Sequence, residues 1–145
     1  MVRVEENIEI KRPVDKVFAY LMDAHNWPYW NSSVLEAEQT SVGQIGIGTT
    51  FRGVDRMIGR RIAWVSKITE YELNRKMSQI ITSGNNLVEQ YLTFDPIEGG
   101  TKFGFVYDMK AGGFLKFIAP ILLSTMRKAV KKNLSKLKVI LEAQA

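Results

Sequence analysis

The feature that most constrains this chain is a change of period near residue 112. From Thr49 to Lys110, apolar and polar residues alternate in short runs punctuated by Gly and Asn. After Gly112-Gly113, Phe117, Ile118, Ile121, Leu122, Met126, Ala129, Val130, Leu134, Leu137, Ile140 and Leu141 recur every three or four residues, over about seven turns. Period two is the signature of strands, and period 3.6 that of an amphipathic helix. A run of strands followed by one long helix buries both apolar faces by laying the helix on the sheet. The expected class is α+β.

The strand run divides at its turns. Thr49–Arg56 and Arg60–Tyr71 flank Met57-Ile58-Gly59, and Arg75–Thr82 follows Leu73-Asn74. Leu87–Phe94 follows Ser83-Gly84-Asn85-Asn86, and Lys102–Lys110 follows Glu98-Gly99-Gly100. Gly and Asn sit where tight turns need positive φ, so successive strands are antiparallel neighbours. Ahead of them, Val2–Lys11 alternates as a half-buried strand. Pro13 then opens a helix with Val14, Val17, Phe18 and Leu21 on one face and Asp15 in its first turn. Asp23–Ser33 reads as a short second helix or turn, Val34–Thr40 as a short strand, and Gly43, Gly46 and Gly48 as a loop. Pro120 is expected to kink the last helix or to separate a lead-in turn from it. No repeat or linker interrupts residues 1–145, which read as a single domain.

Composition narrows the function classes. With 46% hydrophobic and 24% charged residues, the chain of 145 residues is globular rather than disordered. It has no cysteine, which excludes disulfides, thiolate metal sites and a Cys nucleophile. The first residues are charged where a signal peptide needs an apolar run, and the apolar stretch Phe114–Leu123, broken by Lys116, is about half a membrane span. A soluble, cytoplasmic protein is expected. The net charge is +5, and Arg127, Lys128, Lys131, Lys132, Lys136 and Lys138 concentrate the excess on the last helix. A solvated face that complements the helix C-terminal dipole accounts for it.

The order of elements resembles the START-like (SRPBCC) helix-grip superfamily, in particular its polyketide cyclase/dehydrase and lipid-transport group. The resemblance rests on Pro13-Val14-Asp15-Lys16-Val17-Phe18 after the first strand, Trp27-Pro28-Tyr29-Trp30, Ile68-Thr69-Glu70-Tyr71 before a turn, and Phe94-Asp95-Pro96 with Gly99-Gly100-Thr101. It covers nearly the whole chain. It implies a curved antiparallel sheet of about seven strands wrapped around the C-terminal helix, with two short helices after the first strand. It also implies a cavity between sheet and helix that holds lipids, sterols, polyketides, hormones or quinones. Fold alone does not transfer an activity.

Strand parity supplies the candidate wall. Phe51, Gly53 and Asp55 share a face, as do Ile62, Trp64, Ser66 and Ile68, and Met77, Gln79 and Ile81. Val88, Gln90, Leu92 and Phe94 form the next row, and Phe103, Phe105, Tyr107 and Met109 the last. The resulting ligand-binding candidates are Phe51, Asp55, Trp64, Ser66, Gln79, Gln90, Phe105 and Tyr107. Trp27 joins them at the cavity entrance, and Phe117 and Ile121 at the start of the last helix. A few polar groups on an apolar, aromatic wall is the composition of a small-molecule site. The same groups also serve to satisfy one another or buried water.

Three residues are acid–base candidates. His25 is the only histidine, but it lies in a polar turn with no nucleophile motif nearby. Asp55 becomes a base if buried, and Tyr107 is the third. No cofactor is expected. Gly43-Gln44-Ile45-Gly46-Ile47-Gly48 has the wrong order for a dinucleotide loop, and one His with no Cys leaves only carboxylate metal sites, for which the sequence shows no carboxylate cluster. Arg52, Arg56, Arg60 and Arg61 surround one hairpin near Trp64, but no nucleic-acid partner is expected. The residues therefore rank a small hydrophobic ligand, bound or transported, first. An enzyme on a polyketide-like substrate comes second, and transient membrane or partner contact through the basic last helix third. They do not specify an oligomeric state.

Overall fold

The computed structural model describes residues 2–57, 59–110 and 115–144, with backbone alone over residues 115–119. Strand β1 is Val2–Ile10, and helix α1, Val14–Met22, follows Pro13. A 3₁₀ turn, Ala24–Asn26, leads into helix α2, Trp27–Trp30. Strands β2 (Val34–Gln39), β3 (Thr50–Met57), β4 (Arg60–Glu72), β5 (Lys76–Ser83), β6 (Asn86–Ile97) and β7 (Gly100–Lys110) come next. Helix α3, Leu115–Glu142, ends the fold. It is a helix-grip α+β domain.

All seven strands pair antiparallel in one sheet, in the order β1-β7-β6-β5-β4-β3-β2. The hairpin turns use residues that tolerate positive φ: Asn74 at 61°, Gly84 at 57° and Gly99 at 78°. The β6–β7 hairpin is tighter than its sequence suggests. Strand β6 runs on through Pro96, and Gly100 already belongs to β7, where an added Cβ would collide with the Ile10 carbonyl oxygen.

One bulge alters the inward parity. Between Ile68 and Glu70 the β4–β5 register slips by a residue. Ile68 faces inward, and after the slip so does Tyr71, whose ring meets Phe18 at 5.6 Å. Strict alternation places Tyr71 outside.

Helix α3 continues through Pro120 as one helix of 28 residues, without a separate lead-in turn. Its C-terminal half buries Leu134, Leu137 and Leu141 and packs beside β1. Lys138 Nζ donates to the Glu9 carbonyl at 2.5 Å and to Glu142 Oε2 at 2.7 Å, and the Lys11 amide donates to the same carboxylate at 2.9 Å. Arg127, Lys128, Lys132 and Lys136 stay exposed, and Lys131 approaches Glu6 at 3.9 Å.

The arginine hairpin is partly neutralised. Arg52 reaches Glu38 at 2.6 Å and Glu36 at 3.6 Å, and Arg61 approaches Glu36 at 3.9 Å. Among the described residues, no helix is long and apolar enough to cross a membrane.

Candidate functional site: a cavity between the sheet and helix α3

The concave face of the sheet and the front half of α3 enclose a cavity of about 290 Å³. Strands β3 to β7 contribute Asp55, Trp64, Gln79, Gln90, Phe105 and Tyr107, and α2 contributes Trp27 and Trp30. Helix α3 lays Leu122, Met126 and Val130 across the top. The helix reads as a lid because its register turns these apolar positions toward the sheet, while Lys128 and Lys132 face out.

Asp55 is the chemical focus. The β3–β4 register sets Gly53 opposite Trp64, and a Cβ on Gly53 would collide with the Trp64 ring. Only glycine lets the indole lie across the β3 backbone. The ring thereby reaches two residues along the strand, and Trp64 Nε1 donates to Asp55 Oδ1 at 2.8 Å. Among the described residues, no other hydrogen bond or ion pair holds this carboxylate. Burial pushes its pKa up to about 6, against the opposing pull of the Trp64 hydrogen bond.

Tyr107 stands near Asp55 on the same wall. Burial, and secondarily the Asp55 charge, push its pKa up to about 12. The phenol is therefore neutral across the physiological range. Its ring stacks on Phe105 with centroids 6.3 Å apart and planes 4° from parallel. No hydrogen bond joins Tyr107 to Asp55 among the described residues, so the two groups do not form a preassembled acid–base pair. The β5–β6 and β6–β7 registers line up Gln79, Gln90 and Tyr107 in one row. Gln79 Nε2 donates to Gln90 Oε1 at 2.6 Å, and Gln79 Oε1 is buried without a partner.

The other expected site residues lie elsewhere. Phe51 is packed under Trp27, ring centroids 4.9 Å apart, and does not line the cavity. Ser66 faces inward but is sealed below it, its hydroxyl unpartnered. Ile121 points away from the cavity and is 74% exposed. The Phe117 side chain falls outside the described residues. His25 is a surface residue with a 78% exposed side chain, its Nδ1 3.4 Å from Asp23 Oδ1, and it does not reach the cavity.

The structure also brings in residues that parity could not find. Asn133 on α3 accepts from the Ser32 amide and hydroxyl at 3.2 Å each, and donates to Asn31 Oδ1 at 3.2 Å. This polar latch ties the lid to the segment after α2, and Asn31 and Asn133 both line the cavity. The three- and four-residue spacing of Met126, Val130, Asn133 and Leu134 carried the only hint, since a lone Asn sits on the apolar face.

With this geometry in place, the comparisons with known proteins agree on the class. The sequence matches the family described as polyketide cyclase / dehydrase and lipid transport over residues 1–142. The chain belongs to that family. Similar solved structures include a protein from Thermus thermophilus, at TM-score 0.80 and 19% identity, covering 99% of each chain. A START superfamily protein from Mycobacterium smegmatis superposes at TM-score 0.81 with 12% identity over 100% of both chains. A protein from Deinococcus radiodurans gives 0.76 and 13%, again over 100% of both. At such identities the likeness shows the fold. A comparison with curated proteins returned no match.

Proposed function

We propose that this protein binds a small hydrophobic ligand in the cavity between sheet and α3 and holds it away from water, as a carrier or binding protein. The observation that carries this reading is the cavity itself. It has about 290 Å³ of space, mostly apolar lining, and an aromatic wall of Trp27, Trp64 and Phe105. That is the small end of the range of ligand sites, roughly 300–1,000 Å³. A single ring system or one short acyl chain fits the space.

Native mass spectrometry of the purified protein, followed by organic extraction, tests the reading directly. A retained hydrophobic molecule, or saturable binding of an apolar fluorophore that is lost in Ile81→Trp, supports it. A protein that is empty and binds no apolar probe removes it.

A second reading, chemistry in the same cavity, has one observation in its favour. A carboxylate titrating at about 6 is suited to take a proton near neutral pH. Asp55 would then be the base. Turnover of a bound candidate substrate that disappears in Asp55→Asn, with affinity retained, separates enzyme from carrier.

A further inference from the structure

Resting on the reading of the cavity as a ligand site, we infer that its ligand carries a protonated amine on an aromatic or alicyclic body, anchored by the Asp55 carboxylate.

Among the described residues that line the cavity, Asp55 is the only one with a charge. No Lys, Arg or His joins it. The neighbours that pair with Asp55 across the sheet are Val34 on β2 and Ile62 on β4, and the part of α3 over the cavity presents Thr125, Met126 and Ala129. None of these ionises. The one other titratable group on the wall, Tyr107, is neutral and supplies no positive charge. A carboxylate withdrawn from water without a counter-ion is unfavourable, and a bound cation relieves that most effectively.

The surroundings suit the same ligand. Trp64 fixes Oδ1 at 2.8 Å and leaves Oδ2 without a hydrogen bond, so one oxygen is positioned and the other is available. The indoles of Trp27 and Trp64 lie 6.2 Å apart with planes 28° from parallel. They supply apolar surface beside the carboxylate for the body of such a ligand. Trp30 Nε1 is an unpartnered donor among the lining residues, but it is neutral and cannot balance a ligand carboxylate. Free fatty acids and acidic polyketides are therefore disfavoured occupants.

The test uses three probes with one apolar body: naphthylmethylamine, naphthylmethanol and naphthoate. Their affinities for the full chain are measured by fluorescence and calorimetry at pH 8 and pH 5. At pH 8 the amine should bind about tenfold tighter than the alcohol, and naphthoate weakest. Lowering the pH to 5 neutralises Asp55 while the amine stays charged, so the amine's advantage should shrink and the alcohol should be unaffected. In Asp55→Asn the amine preference should fall to within about twofold, while alcohol binding reports that the cavity is intact. Naphthoate binding as tightly as the amine, or an amine preference that survives Asp55→Asn, overturns the inference and leaves the cavity reading standing. Failure of all three probes to bind overturns both.

Discussion

The two ends of the sheet interior are built from the same strand faces and come out differently. At one end, Phe94 and Phe103 meet at 5.2 Å, and Phe18 from α1 stands edge-on to Phe94 at 4.9 Å. All three are buried. At the other end, the same two strands present Gln90 and Tyr107, and the wall opens into the cavity. The difference is the cover. Helix α1 plugs its end with an aromatic ring, whereas the front of α3 spans its end with Leu122 and Met126, which pack with Val2, Val88 and Met109 and still border the cavity. Stability and ligand space are therefore allotted to opposite ends of one sheet.

Truncation should expose that division most clearly. Phe103→Ala at the filled end should destabilise the fold by about 3–5 kcal/mol in urea or thermal unfolding. Met126→Ala over the cavity should cost less, about 1–2 kcal/mol, because Met126 is only partly buried. Equal losses at the two ends would erase the contrast.

The next effect in size concerns Asp55. Its pKa is raised in the fold, from 3.8 to about 6, so the folded state holds the proton more tightly than the unfolded chain. The resulting contribution is present at low pH and is lost as pH rises through about 6. Asp55→Asn should match the parent near pH 4 and be more stable at pH 8, by about 1–2 kcal/mol after allowing for partial solvent access. Unfolding curves at the two pH values check the sign.

Trp64→Phe removes the hydrogen bond that holds the Asp55 pKa down, so the carboxyl should titrate above about 6 in an NMR titration. An unchanged or lower value would mean that the indole does not tune the acid. Smallest of all, Arg52→Ala on the outer face of the sheet should cost no more than about 1 kcal/mol, and less at high salt.

Much of this layout was legible in the sequence. Alternation in β3, β6 and β7 set Asp55, Gln90 and Tyr107 on the inner face, and the period change located α3. What parity could not say is whether an inward side chain meets a neighbour or a void, because that depends on what covers it. Phe51 and Ser66 face inward but are sealed, while Gln79 and Gln90 border open space. Tyr71 was hidden by a one-residue bulge, and the Asn31–Asn133 latch by a separation of 102 residues. The Gly53–Trp64–Asp55 arrangement required the β3–β4 register, which turn lengths alone do not fix to the residue.

The pairing of β1 with β7 has a further consequence, for the order of assembly. Val2 lies opposite Met109 and Ile10 opposite Thr101, and α3 then packs on β1 through side chains as late as Leu141. In a chain that folds as it is synthesised, β1 can pair with β7 only after β7 has been made, and the pairing closes a long loop. A nascent chain that has emerged only as far as β7 has a floor and walls but no roof. The space between sheet and helix is covered only once the chain through α3 has been made.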